Sequence, residues 1–87
     1  MNKPDQPVEK IRNLGPVMAE MLGEIDVANG AQLRALGAVE AYRRLQFRFG
    51  RQVSLNALYA MAAGLEDRDW RDLSAAEKAA LKAAVDS

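Results

Sequence analysis

The sequence contains no cysteine and no histidine. Without cysteine the chain can form no disulfide and has no thiolate nucleophile. Without histidine it lacks the most common general base and the most common protein ligand for transition metals. We therefore expect a domain that is not an enzyme and that requires no metal ion and no other cofactor.

The chain also lacks a net charge and a long apolar segment. Lysine plus arginine and aspartate plus glutamate number 12 each, whereas a dedicated non-specific DNA-binding domain carries a basic excess. No apolar run approaches the roughly 20 residues that cross a bilayer, and the N-terminus lacks the apolar segment of a signal peptide. These absences favour a cytoplasmic protein without a membrane partner.

Helical spacing dominates the apolar pattern, and no segment shows the sustained alternation of a strand. The first long helix should begin at Gly15–Pro16, because proline is well tolerated at the first helical position. Glycines and capping residues mark further helix ends, namely Asn29, Gly37, Gly50, Ser54 and the Ser74–Glu77 pair. We predict an all-α fold, a compact bundle of about five short helices over residues 9–87, after a flexible lead at residues 1–8.

The segment IRNLGPVMAEML, residues 11–22, has the pattern of a helix-hairpin-helix motif. Such a motif binds phosphate through backbone amides at a helix N-terminus. The predicted hairpin turn consists of Asn13, Leu14, Gly15 and Pro16. DNA-binding versions commonly have glycine in place of Asn13 and a cation in the first helical turn, where this chain has Val17 and Met18. We favour a corner that serves packing, with DNA contact as the alternative.

An arginine-rich segment spans residues 34–51, with five arginines against the single acid Glu40. Arginine suits docking because its planar guanidinium binds a carboxylate or a phosphate at two points. The predicted docking residues are Arg43, Arg44, Arg48 and Arg51. In the alternative interpretation these arginines form a solvated face whose charge is compensated by the acids of residues 16–33 and 66–77.

Two aromatic side chains are candidates for a partner contact. Phe47 and Phe49 lie on different faces of one helix, so one core cannot bury both, and we expect Phe47 to be exposed. Trp70 stands among charged residues, where it serves either as a lid that anchors the last helix or as a hot spot for a partner. Both residues favour a protein partner or self-association, with nucleic acid as the weaker option.

Three segments resemble the C-terminal domain of the TfoX (Sxy) family of competence regulators: IRNLGPVMAEMLGEIDV, QLRALGAVEAYRRL and SLNALYAMAAGLEDRDWRDLS. The resemblance covers approximately residues 10–83. It implies a helix-hairpin-helix core of the SAM and DNA-polymerase type, here as a stand-alone domain, because longer members place an α+β domain before it. It also implies that the NLGP segment forms the hairpin turn, that Tyr42 and Arg43 belong to one helix, and that Trp70 is a closing anchor.

What the resemblance implies about function is a role in competence. Family members are associated with switching on DNA-uptake genes together with the cyclic-AMP receptor regulator. We therefore expect a non-enzymatic regulatory module that binds a transcription-regulatory partner or itself. The alternative is a weak, non-sequence-specific nucleic-acid-binding domain that uses the arginine-rich helix and the hairpin.

Overall fold

The structure, a computed structural model, describes residues 6–87 and is all-α in that range. Its five helices are α1 (Pro16–Gly23), α2 (Gly30–Leu36), α3 (Ala38–Phe49), α4 (Leu55–Leu65) and α5 (Ala75–Asp86). Single 3-10 turns occupy Val8–Lys10, Gly50–Gln52 and Trp70–Asp72. The predicted fold class, a bundle of five short helices, is confirmed, whereas residues 1–5 of the predicted lead lie outside the described residues.

Local capping explains most of the helix boundaries. Pro16 occupies the first position of α1, as its sequence position predicted. The side chain of Asn29 accepts a hydrogen bond from the Gln32 amide at 2.9 Å and so caps α2. Ser74 and Glu77 bind each other's backbone amides, at 3.1 and 2.9 Å, in a capping box that begins α5. The first residues of these three helices were predictable, because each helix start depends on residues within one turn.

The prediction that the Ser54 side chain caps α4 is wrong. Ser54 does precede α4, but its side chain accepts no hydrogen bond from the helix. The Ala57 amide, which a serine cap would bind, instead donates to the backbone carbonyl of Ser54 at 3.0 Å. This backbone bond takes the place of a side-chain cap at the Ala57 amide.

Packing begins before the predicted domain boundary at residue 9. Val8, which we assigned to the lead, is buried in the core at 2% exposure. Just before it, Pro7 forms an isolated bridge with Asn29, and the carbonyl of Gln6 accepts a hydrogen bond from the Gly30 amide at 2.6 Å. A single valine among prolines and charged residues shows no apolar periodicity, so no sequence pattern predicts its burial.

The helices share one core that is centred on α4. This helix packs against α3, against α5 and against the turn at Trp70–Asp72. The fully buried large side chains come from four helices: Leu22, Leu33, Leu45, Leu58 and Met61. Because α4 is buried on several sides, it has almost no position for a charged residue, as its sequence indicates.

The hairpin passes very close to α4 at Gly64. A β-carbon at this position would overlap the carbonyl oxygen of Arg12 and would lie 3.0 Å from the side chain of Ile11. Gly64 lies in the regular part of α4, so space rather than backbone conformation requires glycine here. The absence of a side chain at Gly64 thus sets how closely the hairpin approaches α4.

We predict that Gly64→Ala destabilises the domain by about 1–3 kcal/mol, because the added methyl group must displace the hairpin backbone. The measurement is the free energy of unfolding in urea, followed by helical circular dichroism. Gly23→Ala is the matched control, since nothing lies within 4 Å of its β-carbon, and it should leave stability unchanged or raise it by up to about 1 kcal/mol. Equal stability of the two variants would contradict the close approach.

Candidate interaction surface

The hairpin turn is held to the rest of the domain by Asn13. Its backbone is in the left-handed region with φ 74°, which asparagine tolerates better than most residues. Its side-chain amide donates to the carbonyl oxygens of Arg68 at 2.7 Å and Ala60 at 3.4 Å, and its oxygen accepts from the Trp70 amide at 3.3 Å. Sequence reasoning assigned Asn13 only a conformational role and missed these three bonds.

The rest of the predicted turn is suited to packing. Leu14 is buried, and Gly15 precedes α1 without a side-chain cap. In the first turn of α1, Val17 is 70% exposed where a DNA-binding hairpin places a cation, and Glu20 adds a negative charge one turn later. These positions favour the interpretation of the hairpin as a corner.

Arg43, one of the four predicted docking arginines, closes the end of α5. Its guanidinium donates to the carbonyl oxygens of Ala84 at 2.7 Å, Ser87 at 3.0 Å and Val85 at 3.3 Å. The last carbonyls of a helix have no partner within the helix and carry its negative dipole end. Arg43 therefore stabilises α5, a role that depends on backbone groups some 40 residues away along the chain.

Arg44 and Arg48 form ion pairs within the domain. Arg44 binds Glu40 at 3.1 Å across one turn of α3. Arg48 binds Glu24 of α1 at 2.9 Å and lies over the ring of Phe49 at 5.1 Å from its centre. All four charged side chains are about half exposed, so these surface pairs stabilise the fold only weakly.

Phe47 lies at the centre of the outward side of α3. It is 95% exposed, and helical spacing places it opposite the buried residues Ala41 and Leu45. Arg51, in the turn after α3, is exposed and forms no ion pair within residues 6–87. We define the arginine–phenylalanine face as Arg43, Arg44, Phe47, Arg48 and Arg51.

Trp70 is half-buried in the turn between α4 and α5. The ammonium group of Lys78 on α5 lies 5.9 Å from its ring centre and 5.5 Å from that of Tyr59 on α4. A cation shared between two aromatic rings links the two helices. This arrangement supports the interpretation of Trp70 as an anchor for the last helix.

An apolar groove opens between α3, α4 and α5. Its volume is about 440 Å³, and its lining includes Val39, Leu65 and Leu81, with Glu66 and Glu77 at its edge. From α5 the lining includes Ala80 together with Glu77 and Leu81, and the alanine side chain is too small to fill the space between the helices. Sequence reasoning missed the groove, for which the alanine-rich α5 was the only signal.

Arg68 organises the charges at the edge of the groove. It binds both carboxylate oxygens of Glu77, at 2.7 and 3.1 Å, and one oxygen of Glu66 at 3.1 Å. The Arg68 guanidinium, assisted by the Ser74 amide, lowers the pKa of Glu77 to about 2. Glu77 therefore remains a carboxylate at neutral pH.

Three basic side chains meet beside the C-terminal end of α4. Arg12 donates to the carbonyl oxygen of Asp67 at 3.3 Å, and Arg34 donates to that of Leu65 at 3.1 Å. Lys10 lines the same small recess. Both arginines compensate the negative end of the α4 dipole, as Arg43 does for α5.

In the part of the chain that the structure describes, no three acidic side chains come together as a group that could hold a metal ion. No described helix combines the length and the apolar character that are needed to cross a bilayer.

Comparison with known proteins identifies the family. The sequence model of the TfoX C-terminal domain matches residues 4–85, which is nearly the whole chain. The chain belongs to this family. A crystal structure of an uncharacterized protein from Listeria monocytogenes shares the fold with a TM-score of 0.80 at 25% identity, over 86% of this chain and 84% of that one. A search of curated proteins found no significant match.

The segments that resemble the TfoX family contribute mainly to packing in this domain. Asn13 connects the NLGP turn to α4, Arg43 closes α5, and Trp70 stands between α4 and α5. Phe47 differs from all three because it contacts solvent on almost its entire surface. The family pattern therefore explains the fold, and Phe47 requires a separate explanation.

We predict that Asn13→Gly lowers the free energy of unfolding by about 1–3 kcal/mol, because glycine keeps the turn but leaves the Arg68 carbonyl and the Trp70 amide without their partner. Urea unfolding measures this loss. Asp67→Gly is the control: Asp67 also has a positive φ, of 56°, but its side chain is exposed. That variant should unfold like the wild type, and an Asn13→Gly protein as stable as the control would show that the three bonds contribute nothing.

We predict that acid weakens the domain through Glu77. Its folded pKa of about 2 lies below its ordinary value of 4.5, so its contribution is complete above that ordinary value and is lost as the pH falls towards 2. Glu77→Gln retains an acceptor for the capping box but removes the charge, so its stability should change less over this pH range. Urea unfolding at pH 7, 4 and 3 measures the difference. An unaltered pH dependence would contradict the role of Glu77.

Proposed function

We propose that this domain is a non-enzymatic regulatory module of the cytoplasm that acts through protein contacts, and that the arginine–phenylalanine face is its contact surface. Membership of the TfoX C-terminal domain family supports the regulatory context. The observation that carries the proposal is the 95% exposure of Phe47. Each Å² of apolar surface removed from water contributes about 25 cal/mol, so a partner that covers this ring gains affinity.

The composition of the face favours a protein over a nucleic acid. An aromatic side chain among arginines is typical of the residues that dominate binding between proteins. Phosphate binding depends on free cations that release counterions, whereas Arg44 and Arg48 are already paired with Glu40 and Glu24. These two carboxylates would also repel a phosphate backbone.

Weak, non-sequence-specific nucleic-acid binding is the second candidate function. The observation in its favour is the position of the remaining cations. Arg51 is exposed after α3, and Lys10 and Arg12 lie just before the hairpin turn. Contacts of such side chains with phosphates carry no information about the base sequence.

Site-specific crosslinking tests the protein-contact proposal. A photoreactive phenylalanine analogue at position 47 should yield a discrete protein adduct in cells of the source organism. The same analogue at Ala83, an exposed position on α5, is the control and should not yield that adduct. In the same cells, added wild-type domain should compete for the partner and reduce the adduct, whereas added Phe47→Ala domain should not. The Phe47→Ala substitution should leave the stability of the domain unchanged, because the ring has no core contact to lose.

Titration with duplex DNA tests the second candidate with the same protein. Binding through phosphates should weaken steeply with salt and should be lost in Lys10→Ala/Arg51→Ala. Arg43 is left unchanged because its removal would free the end of α5. DNA binding of this kind, together with no adduct specific to position 47, would overturn the protein-contact proposal in favour of the nucleic acid.

A further inference from the structure

We propose that the arginine–phenylalanine face binds a second copy of this chain, whose groove between α3, α4 and α5 receives Phe47. The inference rests on the proposed function, since it names the occupant of the same face. In this contact the face of one copy meets the groove of another. It involves an exposed ring and a groove, and the fold of a single copy leaves both without a partner.

The groove has the size and the lining that an aromatic ring requires. Its volume of about 440 Å³ exceeds that of a single side chain, and Val39, Leu65 and Leu81 supply apolar walls. Leu73 and Ala38 close its floor and are themselves buried. Entry of Phe47 would remove apolar surface from water on both partners.

The charges around the two surfaces are complementary. The arginine–phenylalanine face contains four arginines, with Glu40 and Glu24 as the carboxylates paired to them. The groove has Glu66 and Glu77 at its edge, where Arg68 binds both. With the internal pairs counted, the face retains two positive charges in excess and the groove edge retains one negative charge. Opposite potentials of this kind orient two proteins and select the correct partner.

The geometry of α3 prevents Phe47 from filling the groove of its own chain. Val39, in the groove wall, and Phe47 lie eight residues apart on α3, which corresponds to about 12 Å along the axis. The groove also borders the side of α3 that faces α4, whereas Phe47 projects from the outward side. Only a second molecule can bring the ring to the groove.

The contact has a distinctive stoichiometry. Every copy presents one face and one groove, so association either closes in a two-fold dimer by reciprocal insertion or extends into rings and open chains. The contact is built around one ring and a few ion pairs, which is small for a protein interface, so it should be weak and dependent on concentration.

Sedimentation of single variants gives the first test. The wild type should increase in average mass with concentration, and Phe47→Ala should weaken association about thirtyfold, as expected for loss of a central aromatic anchor. Ala80→Lys, which places a cation on the exposed wall of the groove, should have the same effect. Val17→Ala and Ala83→Lys are the matched controls, and both should associate like the wild type.

Mixing the two deficient variants gives the decisive test. Phe47→Ala retains an intact groove, and Ala80→Lys retains an intact ring. An equimolar mixture should therefore form a one-to-one complex that grows no further, because each copy has only one functional surface.

A wild type that stays monomeric at millimolar concentration, or a mixture that forms no complex, would overturn this inference. The crosslinking at position 47 separates this failure from that of the proposed function. An adduct with a different protein, combined with a monomeric wild type, would refute self-association alone. The absence of any adduct specific to position 47, with association unaffected by Phe47→Ala, would refute both.

Discussion

The carbonyl group of Arg12 lies directly against Gly64, and this close approach connects the beginning of the domain to its central helix. Asn13, the next residue, adds hydrogen bonds to Ala60, to Arg68 and to the turn that contains Trp70. These contacts join parts of the chain that are 47 to 57 residues apart. They therefore hold the hairpin, the end of α4 and the approach to α5 in one arrangement. The segment that resembles a phosphate-binding hairpin packs here against the central helix of a small core.

The sequence predicted the features that arise within one turn of backbone. Pro16, Asn29 and the Ser74–Glu77 pair mark helix starts because their chemistry is local. The inward hydrogen bonds of Asn13 and the need for glycine at position 64 depend on neighbours about 50 residues away. No periodicity or capping pattern reports such a contact, so the packing of the hairpin against α4 became visible only in the structure.

The arginine-rich segment shows the same limit of sequence-based prediction for the candidate site. Its excess of charge was evident in the sequence, but the partner of Arg43 is the backbone end of α5 rather than any acid. The exposure of Phe47 followed from its position opposite the buried side of α3, and the structure shows that exposure. The groove could not be predicted, because its shape depends on how α3, α4 and α5 pack against one another. Most arginines of this segment therefore bind groups of the same domain, whereas the ring of Phe47 contacts solvent. We interpret the domain as a module for protein contacts.

Hydrogen exchange tests most directly whether the fold depends on the hairpin corner. The Trp70 amide donates to Asn13 from a short turn, where an amide without a firm partner exchanges rapidly. If the corner holds the domain together, this amide should exchange only through global unfolding, with the same free energy as the amide of Met61 in the buried centre of α4. Exchange of the Trp70 amide through a much easier local opening, while Met61 stays protected, would show that the hairpin separates from α4 without unfolding the domain and would contradict this account.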